Sequence, residues 1–140
     1  MPTASYTKIT AAIEPLLEGI NVGSDSWKIA LTNASAVAKT SFVAGTDDLA
    51  TGAGYTAGGN VLVVNTFPTT GSSGNTAYLS FSNTSWNAAL TARGALIYLE
   101  NGTTNPAVCI LDFGSDKISN NTFTVQFPAA TNTSAIIRIQ

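Results

Sequence analysis

Histidine is absent from the 140 residues, cysteine occurs once, and Asp, Glu, Lys and Arg together make up only 10% of the chain. Each shortage excludes something. Without histidine the chain lacks the commonest general base and the commonest imidazole metal ligand. With Cys109 alone, neither an intrachain disulfide nor a thiolate cluster can form. The charge content is well below the roughly 25% of an ordinary soluble domain. Six basic residues scattered among eight acidic ones form no positive stripe for phosphates, so a nucleic-acid partner is not expected. The chain also lacks the long apolar run that a membrane helix needs, and its start has no basic-then-apolar leader pattern. The expectation is a protein made in a cytoplasm, with no membrane partner and no cofactor. The Asn-x-Ser/Thr sequons at Asn33, Asn83, Asn101, Asn120 and Asn132 are discounted for the same reason.

What remains is 44% hydrophobic with a net charge of only -2, which argues for a compact fold rather than disorder. The length suits one domain, residues 1–140, whose polar surface must come from Ser, Thr, Asn and Gly. The stretch from Ala92 to Asp116 reads as two strands, Arg93 to Leu99 and Ala107 to Phe113, around a Gly/Asn/Pro-rich bend. Both faces of both strands are apolar. A hairpin with one side in water alternates apolar and polar residues, so a second layer must cover this one, from the same chain or from another.

In chain order, Ile9, Ala12, Ile13, Leu16, Leu17 and Ile20 follow the spacing of one helical face, so residues 1–22 are expected to hold a short helical segment, interrupted at Pro15. That segment closes the end of the core or grips a neighbour. Trp27 to Thr32 alternates as a half-buried strand. Residues 33–59 read as a long loop; loops of that length are functional or tied down by their own side chains, which draws attention to Phe42 and Tyr55. Within it, Thr46 before Asp47 and Asp48 suggests a capped helical turn. Val61 to Asn65 reads as apolar on both faces, Tyr78 to Ser82 alternates, and Trp86 falls in a polar turn. After a turn at Gly114 to Asn121 come strands at Phe123 to Phe127 and Ser134 to Gln140. At least seven short strands with turn signals between them indicate an all-β fold, a β-sandwich of which the jelly roll is one form.

Candidate chemistry is sparse. Asp47 with Asp48, or Asp112 with Asp116, could form a carboxylate pair or a weak calcium site, but turn and helix-start roles account for both. Cys109, inside an apolar strand, reads as a small core residue. No enzyme is expected. The candidate contact residues for another protein are Ile9, Ile13, Leu16, Leu17, Phe42, Tyr55, Leu96, Tyr98, Val108 and Ile110.

The runs GSDSWKIALTN (Gly23 to Asn33), GAGYTAGGN (Gly52 to Asn60), ARGALIY (Ala92 to Tyr98) and FTVQFPAATNTSAIIRI (Phe123 to Ile139) resemble small virion structural proteins of tailed bacteriophages, in particular capsid cement or decoration proteins. That resemblance implies a jelly-roll domain on the outside of an icosahedral shell of HK97-type major capsid protein. It also implies a homo-oligomer, a dimer in the simplest case, bridging capsomers. Cementing uses surfaces, so no family site residue carries over. The alternative is a carbohydrate- or receptor-binding module or tail-fibre component of the virion, with Trp86 and Tyr55 stacking on sugar rings.

Overall fold

The computed structural model describes residues 5–8, 25–33, 41–66, 72–73 and 76–139, and among them every regular element is a strand. The expected N-terminal helical segment, with Ile9, Ile13, Leu16 and Leu17, lies outside the described residues apart from the strand at 5–8. One sheet has five strands: β1 (Ser5–Lys8), β2 (Trp27–Thr32), β3 (Asn60–Leu62), β8 (Thr91–Leu99) and β9 (Ala107–Ile118). Their spatial order is β1-β9-β8-β2-β3, all neighbours antiparallel. The other strands are β4 (Val64–Thr66), β5 (Ser72–Ser73), β6 (Thr76–Phe81), β7 (Thr84–Trp86), β10 (Phe123–Val125) and β11 (Ile137–Ile139). Of these, β6 pairs with β11, β4 and β5, and β7 pairs with β10.

Register explains the packing. Trp27, Ile29 and Leu31 lie opposite Leu99, Ile97 and Ala95, and Ile97 and Ala95 lie opposite Cys109 and Leu111, so all eight share one face. That face meets the second group of strands. Trp27 packs on Phe81 with ring centroids 5.3 Å apart, and Phe123 bridges Phe113 and Trp86 at 6.2 and 6.3 Å. The result is a sandwich-like two-layer β fold whose core runs between the layers.

The opposite face of the five-stranded sheet carries Ala30, Leu96, Tyr98, Val108 and Ile110, each no more than 6% exposed. One chain therefore covers both faces of the central hairpin. Phe42 provides part of that cover, stacked on Tyr98 at 4.0 Å between centroids.

Several expectations are corrected. Residues 61–65 are not apolar on both faces in effect, because Val61 and Val63 are more than 60% exposed while Leu62 is buried. The reason is a change of partner: the chain begins as β3 at the edge beside β2, then passes through Val63, whose carbonyl accepts the Ser82 N–H, to join β6 as β4. A strand that turns the corner between layers shows one side to water. Trp86 ends strand β7 and is buried, not displayed in a turn. The proposed turn after Phe113 is instead an excursion inside β9. Ala92 opposes Lys117 and Gly94 opposes Asp112, so Arg93 alone faces the four residues 113–116. Gly114 at φ +79° makes this outward bend, and its N–H donates to Asp112 Oδ1 at 2.8 Å.

Candidate functional site

The long loop is tied down by one carboxylate. Asp48 Oδ1 accepts the Gly45 N–H at 2.6 Å, and Oδ2 accepts the Gly58 N–H and the Tyr55 hydroxyl, both at 2.7 Å. Tyr55 carries the restraint inward, because its oxygen accepts the Leu31 N–H at 3.1 Å. The Leu31 carbonyl in turn accepts the Leu49 N–H at 2.9 Å. Beyond Ile29, where β3 no longer pairs with β2, the loop thus takes over the edge of the strand. Gly59 makes the close approach possible: at φ +71°, a Cβ there would sit 1.9 Å from the Ile29 carbonyl oxygen. Tyr98 closes the set by donating to the Gly58 carbonyl at 2.7 Å.

The expected helical turn at Thr46 is a tight turn instead. The Val43 carbonyl accepts the N–H groups of Thr46 and Asp47, and Asp47 Oδ2 accepts the Val43 N–H at 2.8 Å. Asp47 Oδ2 and Asp48 Oδ1 reach back to the earlier N–H groups of Val43 and Gly45, and Asp48 Oδ2 reaches across the loop to Gly58, so neither carboxylate starts a helix. Burial and donation to Asp48 hold the Tyr55 phenol well above its ordinary range. Burial, with the nearby charges of Glu100 and Asp48, pushes Tyr98 up to about 12. These phenols are neutral donors at any physiological pH.

The second carboxylate pair is also structural in its geometry. Asp112 holds the β9 excursion and lies 3.3 Å from Arg93 Nη2, while Asp116 is exposed on the excursion itself. Cys109 is 3% exposed, and burial pushes its thiol up to about 12, the protonated and unreactive state. Among the described residues, no three His, Cys, Asp or Glu side chains gather in one place.

The candidate contact residues fare unequally. Phe42, Tyr55, Leu96, Tyr98, Val108 and Ile110 are each 2–6% exposed, so in a single chain they offer no surface to a partner. Their apolar character serves the core. Tyr55 and Trp86 do come together, with ring centroids 6.0 Å apart, but inside the protein and not as a platform for sugar rings.

An open groove of about 610 Å³ runs along the side of the sandwich, between β9 and the segment that includes β10 and leads to β11. Its lining includes Phe113, Lys117 and the 75% exposed Ile118 from β9, residues 122–128, and Ile136 and Arg138. The Arg138 guanidinium donates to the Thr133 carbonyl, and Lys117 Nζ lies 2.8 Å from Ser115 Oγ.

No family model, curated protein or solved structure matches this chain. Its geometry has to speak alone. The groove escaped a reading by strands because its lining is gathered from several parts of residues 111–138 and depends on the β9 excursion, which a Phe-Gly-Ser sequence presents as an ordinary turn. The available signal was charge: Lys117 and Arg138 are two of only six basic residues in the chain.

Proposed function

We propose that this protein is a non-enzymatic structural component of a virion. It binds the outside of a tailed-phage capsid and cements neighbouring major capsid protein subunits of an HK97-type shell. The observation that supports this reading best is a preset outer loop: one internal carboxylate and two tyrosines fix residues 41–59, and that loop carries exposed, nearly uncharged tips such as Val43 and Gly45. A surface already ordered before binding loses little freedom when it docks. The four segments that resemble cement proteins fall on β2, on the locked loop, on β8 and on residues 123–139, the frame of the fold. A jelly roll is the finer topology we assign, supported by the chain's passage from one layer to the other at residues 60–66.

Cementing follows from linkage. A domain that bridges capsomers binds only the assembled shell, so its binding free energy adds to the stability of that state alone. Many copies multiply modest contacts. A low-charge surface makes those contacts less sensitive to salt. The homo-oligomer belongs to the same proposal, but its contact falls on exposed side chains such as Val61 and Val63 rather than on the buried Leu96 and Val108 face.

The test is reconstitution. Purified protein is added to phage heads lacking it, the heads are sedimented, and bound copies are counted per major capsid subunit. Saturation at a number commensurate with the icosahedral lattice, together with greater heat resistance of the heads, is the expected result. Binding of a handful of copies or none overturns it and moves the protein to the tail.

A further inference from the structure

We infer that the groove beside β10 is a docking site for an extended, acidic peptide segment, which adds to this domain as a strand. The shape of the wall is the first ground. Residues 122–128 line the groove without a gap. Side chains of a strand alternate between its two faces, so the presence of all three β10 residues, Phe123–Val125, in the lining means that the strand's edge, not one face, meets the groove. Among the described residues, β10 pairs only with β7, which occupies its other edge. Alternate peptide groups of the strand point toward the groove, where a second backbone can pair with them.

Charge is the second ground, and it selects the occupant. Lys117 of β9 and Arg138 of β11 both line the groove, while no described acidic side chain does. Across the whole chain acidic residues outnumber basic ones by eight to six, so this concentration of positive charge runs against the composition. Each also bonds to a neighbour, Lys117 to the Ser115 hydroxyl and Arg138 to the Thr133 carbonyl. Asp116 is next to Lys117 in the chain but is not part of the lining. Phe113, Ile118, Val125 and Ile136 supply apolar floor and walls. A strand fits this combination when it alternates carboxylate and branched apolar side chains: backbone pairs with edge, carboxylates reach Lys117 and Arg138, and apolar side chains fill the remainder. The site stands on the groove's own chemistry, whichever particle carries the domain, so it can fail while head binding succeeds, or the reverse.

The experiment is a titration of isotope-labelled full-length protein followed through its backbone amide resonances. The probe is the blocked heptapeptide acetyl-Val-Glu-Val-Asp-Val-Glu-Val-amide, and its lysine counterpart is the control. Saturable shifts confined to residues 122–127 and the facing part of β9 are expected, with Kd below about 1 mM. Affinity should fall about tenfold in Lys117→Glu, a loss of about 1.4 kcal/mol. It should also weaken several-fold in unmodified protein when salt rises from about 50 mM to about 500 mM, a readout independent of any variant's folding. Equal binding of the lysine peptide, or no shift at about 5 mM acidic peptide, overturns the assignment. Free succinate moving the same amides with equal affinity would reduce the groove to an anion site. Shifts of the same amides on simple dilution of the protein would make a second copy the occupant. Either result also overturns it.

Discussion

Replacing Tyr55 by Phe isolates a single oxygen on which the long loop depends. The ring stays, so its contact with Trp86 and the surrounding packing are kept and no cavity opens. What is lost is the acceptor for the Leu31 N–H, in a residue with no exposed area, and the donor to Asp48. A buried backbone donor left unpaired costs about 1–3 kcal/mol, and loss of the bond to the carboxylate adds to that, so the variant should lose about 3 kcal/mol. Unfolding entropy near 2.1 cal/mol/K per residue gives about 0.3 kcal/mol/K for 140 residues. The melting temperature should therefore fall by about 10 °C, read by circular dichroism and checked by the urea midpoint. Because both residues act through one bond, Tyr55→Phe and Asp48→Asn should be non-additive by about 1 kcal/mol or more. A fall of less than about 3 °C with an additive cycle would refute the reasoning, since it would mean that water serves Leu31 and the loop is not held through Tyr55.

Gly59→Ala places a methyl group in the Ile29 carbonyl and should prevent folding. Gly114→Ala, where the φ is +79° but no atom lies within 4 Å, should cost only about 1 kcal/mol in the same denaturation assay. Leu96→Asp and Val108→Asp should each yield unfolded, aggregating protein rather than soluble monomers, because a single chain already buries both positions. Gel filtration showing a folded monomer would overturn that. Stability should also decline in alkali. Tyr98 and Cys109 titrate at about 12 when folded but at their ordinary 10 and 9 when unfolded. The unfolded chain then releases protons first. The stabilisation is complete below pH 9 and is lost as pH rises toward 12, by about 3 kcal/mol from Tyr98 alone. A urea midpoint that stays flat between about pH 9 and 11 would contradict it.

The all-β class and several strand positions were legible because period-2 alternation is local. Trp27–Thr32 matches its expected bounds, and the central hairpin was placed to within two residues at β8. The doubly apolar hairpin correctly demanded a second cover, but the sequence could not say whose; the answer depends on non-local packing such as Phe42 on Tyr98. Residues 61–65 misled because valine promotes strands whether buried or not, and only the change of neighbour at Val63 decides which side meets water. Trp86 misled for the opposite reason: flanking Ser, Thr and Asn suggested a surface turn, while its cross-strand partner Phe123 lies 37 residues later. Asp48 reads in sequence as part of a helix start, yet its bond to Tyr55 has no periodic signature at all.

The five-stranded sheet also fixes an order of events during synthesis. Its central pairing joins β2 to β8, more than sixty residues downstream, and β1 pairs with β9, with Ser5 opposite Asp112. At about 5–20 residues per second, β1 leaves the ribosome roughly 5–20 s before its only strand neighbour among the described residues exists. Until then, among the described residues, β1 has no native strand partner and β2 has only the short β3 beside it, so the five-stranded sheet is completed only when the β8–β9 hairpin emerges. For a protein of this topology, the second half of translation is a period of exposure to chaperones and to other nascent copies, and the hairpin ends it.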